Sequence, residues 1–383
     1  HKIRHILSFV NRQWFTTMAY RAPSDRMLFI LTSLLTIFGL VMVYSASSVV
    51  ASSRHGLSYY YFLRQLVYAA AGYALMLALM NRDYHFWQQD KVVGLLLILS
   101  AGSLLLVFTQ PRINAAHRWL RYGSFISFQP SEIAKLVFLV FMAAFLHKYG
   151  DEINQPVKRL LPCLLVLGLF GGLIAAEPDL GQAVTLALIV IVILFVAGIS
   201  WKSLAGMALL SAPAVCLAIV SMPYRGERIK AFLNPFHDPL GTGWQISQSL
   251  TAVGSGGPWG LGLGASRQKL FFLPEAHSDF IFAVIGEELG LMGAGFVALA
   301  FLLFFYRGIK IALRAPDRFG FYLGLGITLM VAIQAFINIS MVLAMIPTKG
   351  IALPFISQGG SSLLLNLVAT GLLLNIAHYA EEP

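Results

Sequence analysis

Residues 279–306 read DFIFAVIGEELGLMGAGFVALAFLLFFY. A helix crosses the apolar core of a bilayer with about 20 residues, and this stretch is longer than that. Its only charged side chains are Asp279 at its start and the adjacent pair Glu287 and Glu288. The stretch therefore predicts a transmembrane helix whose first residue is a carboxylate.

Apolar runs of similar length recur along the whole chain. Hydrophobic residues make up 58% of it and charged residues 11%, whereas soluble globular domains carry about 25% charged residues. We therefore expect an all-α, polytopic integral membrane protein with about ten transmembrane helices. The expected spans are 27–49, 59–80, 91–109, 130–148, 160–177, 180–199, 202–221, 279–306, 320–343 and 355–378.

Lysine and arginine in the short loops set the expected orientation. They are concentrated on the side that holds both termini, and positive charge marks the cytoplasmic side of a membrane protein. We expect residues 1–26 to form a basic cytoplasmic arm and residues 27–379 to form the membrane domain. Residues 222–278 then form a long extracytoplasmic loop between helices seven and eight.

The opposite side also carries cations, which the positive-inside rule does not explain for a short loop. Arg112, Arg118 and Arg121 lie in the connection 110–129. Such a cluster suits an anionic substrate at the membrane surface. Nucleic acid is not expected as a partner, because the chain has no soluble basic domain to bind it.

The long loop is rich in aromatic residues and glycine. Trp244–Val253 has the pattern of a short helix lying on the bilayer surface. Gly254–Gly264 lacks the GK[ST] ending of a phosphate-binding loop, so a close-packed re-entrant turn is the better interpretation. Cys163 and Cys216 both lie in apolar runs and are expected in the core, not in a disulfide or metal site.

Ionisable side chains cluster where the loop enters helix eight. Glu275, His277 and Asp279 lie within five residues, and poorly hydrated carboxylates at a membrane boundary usually have a function. Asp279 as a helix N-cap is the alternative, but capping leaves the other two residues unexplained. Glu275 and His277 would orient Asp279 or bind a divalent cation with it, or they are ordinary polar residues of a loop.

Two further sites carry charge at helix starts. Glu132 and Lys135 are three residues apart and share a helical face, so a buried ion pair and a substrate-binding role are both open. Asp179 is expected to cap the sixth helix. Glu287 and Glu288 lie about two turns below Asp279 and are expected to lock helices together.

Several segments together resemble one family. They are Pro347–Ser362 (PTKGIALPFISQGGSS), Pro274–Phe282 (PEAHSDFIF), Gly286–Gly290 (GEELG), Phe128–Lys135 (FQPSEIAK) and Glu177–Gly181 (EPDLG). In this order they resemble the SEDS family of shape, elongation, division and sporulation proteins, and its cell-division branch more than its elongation branch. Two positions depart from the family: Gln358 replaces the usual Tyr, and Glu177 replaces the common Gln.

The resemblance implies a peptidoglycan glycosyltransferase that polymerises lipid II during septal cell-wall synthesis. It implies Asp279 as the catalytic base, and it favours Arg118 and Lys349 as ligands of the lipid pyrophosphate. Arg121 is a further candidate by its charge, and the basic stretch Arg225–Lys230 is the next choice. The implied partners are a class B penicillin-binding transpeptidase and other division membrane proteins. Whether a divalent cation, Mg²⁺ or Mn²⁺, takes part with Asp279, Glu275 and His277 is left open.

Two other functions fit the composition. A lipid II flippase would need charges along a path through the bundle, for which Arg64, Glu132, Lys135, Glu287 and Glu288 are available. A non-catalytic scaffold of the division machinery would tolerate loss of Asp279. A polymerase instead needs Asp279 at the outer surface with cations around it.

Overall fold

The computed structural model describes residues 25–111, 117–122, 126–220, 223–235, 238 and 241–380. Nearly all of the expected N-terminal arm, as well as Arg112, lies outside the described residues. Within them, helices account for almost all regular structure, and one small antiparallel hairpin, β1 (Leu120–Tyr122) and β2 (Ile126–Phe128), precedes the fourth long helix.

Twelve α-helices lie in the described part of the chain. They are α1 (Arg26–His55), α2 (Tyr60–Met80), α3 (Asp90–Val107), α4 (Pro130–Tyr149), α5 (Leu161–Ala176), α6 (Leu180–Val196), α7 (Trp201–Val220), α8 (Pro223–Leu233), α9 (Trp244–Gly256), α10 (Ile281–Leu313), α11 (Arg318–Val342) and α12 (Gly360–His378).

The ten expected spans each coincide with one helix, which leaves α8 and α9 in the loop before α10. Among the described residues, eight helices are long and apolar enough to cross a membrane, and α6 is a shorter apolar helix. The expectation of a polytopic, all-α membrane protein is confirmed.

The middle of the bundle is formed by α11 and α12. About four-fifths of the apolar stretch of each is buried in the protein, against a quarter or less for α3 and α5. Glycines allow close packing here: a Cβ at Gly72 of α2 would lie 2.6 Å from Leu367 Cδ1 of α12. We call the end of the bundle where α11 finishes and α12 begins the site end, and the other the opposite end.

Helix α10 is broken at Gly290, whose φ of 65° and ψ of −160° are not helical. The loop after α9 supplies the backbone partners that the break removes. Leu261 and Gly262 donate their amides to the carbonyls of Glu287 and Glu288, while Leu291 and Met292 donate theirs to Gly257 and Pro258. The expected glycine-rich, close-packed turn is confirmed.

The short helix expected over Trp244–Val253 is present as α9, and one of its faces packs against the bundle. Ile246, Ser249 and Ala252 are buried, and Ser249 Oγ donates a 2.7 Å hydrogen bond to the carbonyl of Val342 at the end of α11. A Cβ at Gly256 would lie 1.9 Å from the carbonyl oxygen of Gly286. Ser249, a polar residue of this helix, is therefore used for a buried contact with the end of α11.

Candidate active site

The segment that carries Asp279 is joined by hydrogen bonds to the segment between α11 and α12. These two segments lie about 75 residues apart in the chain, and both carry motifs singled out in the sequence. The bonds run from Asn338 Nδ2 to the carbonyls of Asp279 (2.8 Å) and Ile351 (2.7 Å), from Ser357 Oγ to the carbonyl of Ser278 (2.6 Å), and from the Gln358 amide to the carbonyl of His277 (3.0 Å).

The carboxylate of Asp279 faces Gly350. A Cβ at position 350 would lie only 2.9 Å from Asp279 Oδ2, so a glycine leaves room for the carboxylate there. Phe280, not Asp279, occupies the N-cap position of α10, and no side chain forms a capping hydrogen bond at the start of that helix. Capping therefore does not explain Asp279, and that alternative is wrong.

Burial raises the pKa of Asp279 to about 7. The negative charges of Glu275 and Asp179 add to the rise, and the cations Arg118 and Arg228 oppose it. A carboxylate with a pKa near neutrality is half protonated at physiological pH. Such a group can accept a proton during a reaction and release it afterwards.

Lys349 lies next to Gly350 and extends toward the turn between α5 and α6. Its Cδ would be 3.5 Å from a Cβ at Gly181. Burial lowers the pKa of Lys349, while the nearby carboxylate of Asp179 partly restores it. The expected pyrophosphate ligand is therefore the residue next to Gly350, which faces Asp279, and its side chain extends toward the turn between α5 and α6.

Arg118 is held against the same turn. Its Nε donates to the carbonyl of Glu177 at 3.4 Å, and its Nη2 donates to the carbonyl of Pro178. Its charge also acts on Asp279. Arg121 is exposed on β1, and no described contact brings it to Asp279.

Arg228 of α8 is a cation that the sequence indicated only as part of the basic stretch 225–230. Its Nη1 donates to the carbonyl of Thr348 at 3.4 Å, one residue before Lys349. It also lowers the pKa of Asp279. Two cations, Arg118 and Arg228, thus act on the carboxylate of Asp279, while Lys349 is under the influence of the Asp179 carboxylate in the neighbouring turn.

The turn between α5 and α6 carries two buried carboxyl groups. Asp179 caps α6 through the Gln182 amide (3.4 Å) and accepts from Gln129 Nε2 (3.0 Å), so its expected capping role is confirmed. Glu177 is 0% exposed, and its two carboxyl oxygens have no hydrogen-bond partner among the described residues. Burial, with Asp179 next, raises the pKa of Glu177 to about 8.

Glu132 and Lys135 form an ion pair inside the bundle, with Lys135 Nζ 3.0 Å from Glu132 Oε1. Gln182 of α6 donates to the same oxygen (2.7 Å), and Lys135 also donates to Gln334 of α11 (3.3 Å). Lys135 is 0% exposed. The geometry favours the ion-pair alternative, in which the two side chains join three helices.

Glu275 and His277 differ in their surroundings. Glu275 is exposed and accepts a hydrogen bond from Ser278 Oγ (2.8 Å). His277 is buried, its ring lies 4.8 Å from the ring of Tyr61, and burial lowers its pKa. In the described part of the chain, no three His, Cys, Asp or Glu side chains are grouped to bind a metal ion. The negative charge of Glu275 contributes to the raised pKa of Asp279.

The family described as "Cell cycle protein", FtsW/RodA/SpoVE, matches residues 25–382 of this chain. The chain belongs to this family. A relative from Geobacter sp. (strain M18), named "Probable peptidoglycan glycosyltransferase FtsW", is 43% identical over 92% of this chain and 96% of its own. Stage V sporulation protein E of Bacillus subtilis is 42% identical over 94% of this chain and 99% of its own.

Solved structures of the same family share the fold. One chain comes from a structure described as "Structural coordination of polymerization and crosslinking by a peptidoglycan synthase complex". It has a TM-score of 0.76 and 27% identity, covering 92% of this chain and 97% of that one. The rod shape determining protein RodA of Thermus thermophilus has a TM-score of 0.64 and 25% identity, covering 94% and 98%.

Proposed function

We propose that this chain is a peptidoglycan glycosyltransferase that polymerises lipid II, with Asp279 as the general base. Relatives with more than 40% identity over nearly their whole length are named for this activity. The observation that supports it best is a half-buried carboxylate whose pKa is raised to about 7 and on which the cations Arg118 and Arg228 act, with Lys349 on the segment that it faces.

The arrangement suits displacement of a lipid pyrophosphate. Asp279 takes the proton of the acceptor 4-hydroxyl, and that oxygen forms a bond to the anomeric carbon of the donor sugar. The bond from this carbon to the pyrophosphate breaks, and the electron pair leaves with the pyrophosphate. The donor linkage is α and the polymer linkage β, so the step inverts and needs only one carboxylate on the acceptor side.

The cations act on the leaving group. A departing pyrophosphate gains negative charge, and charge-assisted hydrogen bonds from arginine and lysine stabilise it. Lys349 and Arg118 are the proposed ligands, with Arg228 as a third. Arg121 would join them only if the hairpin moved, because it is exposed on β1.

We place the site end outside the cytoplasm and both termini inside, as the distribution of lysine and arginine in the loops favours. The proposed partner is a class B penicillin-binding transpeptidase at the division septum, together with other division membrane proteins. Support comes from the neighbour solved in a peptidoglycan synthase complex. Because the loop before α10 ends beside Asp279, a partner pressing on it would alter turnover more than lipid binding.

The flippase alternative needs free charge along a path through the bundle. The intramembrane charges that it would use are paired: Glu132 with Lys135 and Glu288 with Lys269. Arg64 donates to Ser127 Oγ on β2, at the site end. These pairings favour a reaction at one end of the bundle.

The test is polymerisation of labelled lipid II by the purified protein with its transpeptidase partner, comparing wild type with Asp279→Asn. The amide keeps the shape but cannot act as a base, so glycan synthesis is expected to fall by about 10²–10⁴. The variant should still bind the partner. Activity within a few-fold of wild type would remove the assignment of Asp279, and lipid II movement across vesicles without polymer would favour the flippase.

A further inference from the structure

Three ionisable side chains are buried below the proposed base. Glu287 and Glu288 of α10 are 1% and 0% exposed, and Lys269 of the preceding loop is 5% exposed. Lys269 Nζ lies 2.8 Å from Glu288 Oε1. The reaction proposed above does not use this cluster.

Each member of the cluster has several partners. Glu287 accepts from Ser266 Oγ and from the amides of Arg267 (2.9 Å) and Gln268 (3.3 Å). Glu288 also accepts from Ser45 Oγ of α1, at 2.7 and 2.8 Å to its two oxygens. Lys269 Nζ also donates to the carbonyl of Gly264 (2.7 Å). The cluster therefore binds the loop segment 264–269 to α10 and to α1.

Such a cluster is not the simplest way to stabilise a fold. Removing three charges from water is costly, and well-packed apolar side chains in their place are often as stable or more stable. What the charged groups provide is a single geometry, because each hydrogen bond has a required distance and direction. The cluster fixes the loop at a defined height along α10.

That loop leads directly to Asp279. The segment between the cluster and α10 is held at its far end by Asn338, Ser357 and Gln358, as described for the active site. Its near end is held by the cluster, and within the segment Trp244 Nε1 of α9 donates a 2.7 Å hydrogen bond to the carbonyl of Phe272. Glu287 lies eight positions after Asp279, a separation of about 12 Å at the rise of a helix.

We propose that Glu287, Glu288 and Lys269 are positioning residues for the transfer reaction. They anchor the near end of the segment that carries Asp279 and so set where its carboxylate meets the acceptor hydroxyl. The proposal rests on the function of Asp279 proposed above. A displacement of about 1 Å at a reacting group can lower the rate about 10²-fold.

A second ion pair offers a matched control. Arg307 Nε lies 3.0 Å from Asp25 Oδ2 and joins the same two helices, α10 and α1, at the opposite end. It has the same kind of chemistry but no link to the segment 264–280. Loss of this pair tests what breaking an α1–α10 ion pair does by itself.

The experiment compares Lys269→Met with Arg307→Met in the lipid II polymerisation assay, with rates expressed per folded molecule. We expect Lys269→Met to lower kcat by about 10- to 100-fold with KM within about threefold of wild type. Arg307→Met should lower thermal stability but leave kcat per folded molecule unchanged. If both variants lower only the amount of folded protein, the cluster is purely structural and the proposal is wrong.

A double variant separates position from stability. Lys269→Met with Glu288→Met replaces both charges by apolar groups, which should restore much of the stability that either single change loses. Positioning predicts that kcat stays low although the melting temperature recovers. Recovery of kcat together with stability would overturn the proposal. Asp279→Asn in the same assay reports on the base itself: if that variant is active, the proposed function fails, whatever the cluster does.

Discussion

Two buried carboxyl groups, Asp317 at the opposite end of the bundle and Glu177 at the site end, differ in their hydrogen bonding. At the opposite end, Asp317 accepts hydrogen bonds from the Tyr84 hydroxyl, from His85 Nε2 (2.9 Å) and from the Gly320 amide (2.7 Å). At the site end, the oxygens of Glu177 have no hydrogen-bond partner in the described structure. Both residues are nearly inaccessible to solvent.

The charge states follow the hydrogen bonds. Burial alone would raise the pKa of Asp317, but the bonds from His85 and Tyr84 hold that pKa below its ordinary value. The bond to Asp317 in turn raises the pKa of His85 to about 9. At the site end burial dominates, and the pKa values of Glu177 and Asp279 rise. The carboxyl group of Asp317 is thus paired in its charged form, whereas Glu177 and Asp279 have raised pKa values, as groups at functional sites often do.

The largest effect on activity should come from replacing aspartate by asparagine at the site end, and the same replacement at the opposite end is the comparison. Asp279→Asn is expected to lower polymerisation by about 10²–10⁴, because a base is lost. Asp317→Asn should instead lower the melting temperature and leave kcat per folded molecule within a few-fold of wild type. Activity assays and thermal unfolding of both variants measure this. A large loss of kcat in Asp317→Asn would remove the distinction between the two ends.

Removing a site-end cation should have the next largest effect. Arg118→Ala and Lys349→Ala each lose a charge-assisted contact with the pyrophosphate, so use of lipid II should weaken by about 10- to 100-fold. Lys349→Arg should be milder. Lys148→Ala is the control, because Lys148 is an exposed partner of Asp90 at the opposite end. Normal kinetics of both site-end variants over a range of lipid II concentrations would place the pyrophosphate elsewhere.

Replacing a carboxyl group by an amide should change the free energy of unfolding in opposite directions at the two ends. Glu177→Gln removes a buried acid without partners and is expected to stabilise the fold by about 1–3 kcal/mol. Asp317→Asn loses bonds to a charged partner and should destabilise it by about 1.5–3 kcal/mol. Unfolding in detergent measures both changes. If Glu177→Gln also destabilises, Glu177 has a partner that the described contacts do not include.

The smallest expected effect is on pH dependence. Asp279 must be deprotonated to act as a base, so activity should be present above about pH 7 and fall about tenfold for each unit below it. The pKa of His85 is raised from its ordinary 6.5 to about 9. Its contribution to stability is therefore complete below about pH 6.5 and lost as pH rises through 9. Between pH 7 and 9, activity should rise while stability falls.

Parallel measurements of kcat and melting temperature across this range check the prediction. His85→Gln should remove the alkaline loss of stability and leave the acid limb of activity in place. An acid limb that moves with this substitution would mean that the two ends are coupled.

Much of the fold can be predicted from hydropathy. A helix needs about 20 apolar residues to cross a bilayer, and such long apolar runs are rarely anything other than transmembrane helices. Each of the ten expected spans overlaps one helix, and most span ends lie within three residues of the helix ends. The exceptions are the ends of spans one and eight and the start of span ten, which differ by six, seven and five residues. The break at Gly290 is not visible in the sequence, since Gly290 lies inside a long, mostly apolar run and the partners of the broken helix come from a loop about 30 residues earlier. Hydropathy carries no information on such tertiary pairing.

The site was predicted in part. Asp279 stands out as a carboxylate at the start of an apolar run, whereas Arg118 and Lys349 are favoured as ligands through the resemblance to the SEDS family. Arg228 was found only as part of a basic stretch, because its approach to Thr348 depends on how α8 folds back. Glu132 and Lys135 share a helical face, as their spacing indicates, but only the structure shows that Gln182 and Gln334 complete their hydrogen bonds.

The exchange of backbone partners at Gly290 also constrains how the protein is made. Residues 257–262 leave the ribosome before α10, yet their amides and carbonyls pair with α10. Amides without partners are strongly disfavoured in lipid, so this loop cannot settle in the membrane until that helix has been synthesised and inserted. Assembly in this region therefore runs against the order of synthesis: the later helix enters first, and the earlier loop folds back onto it.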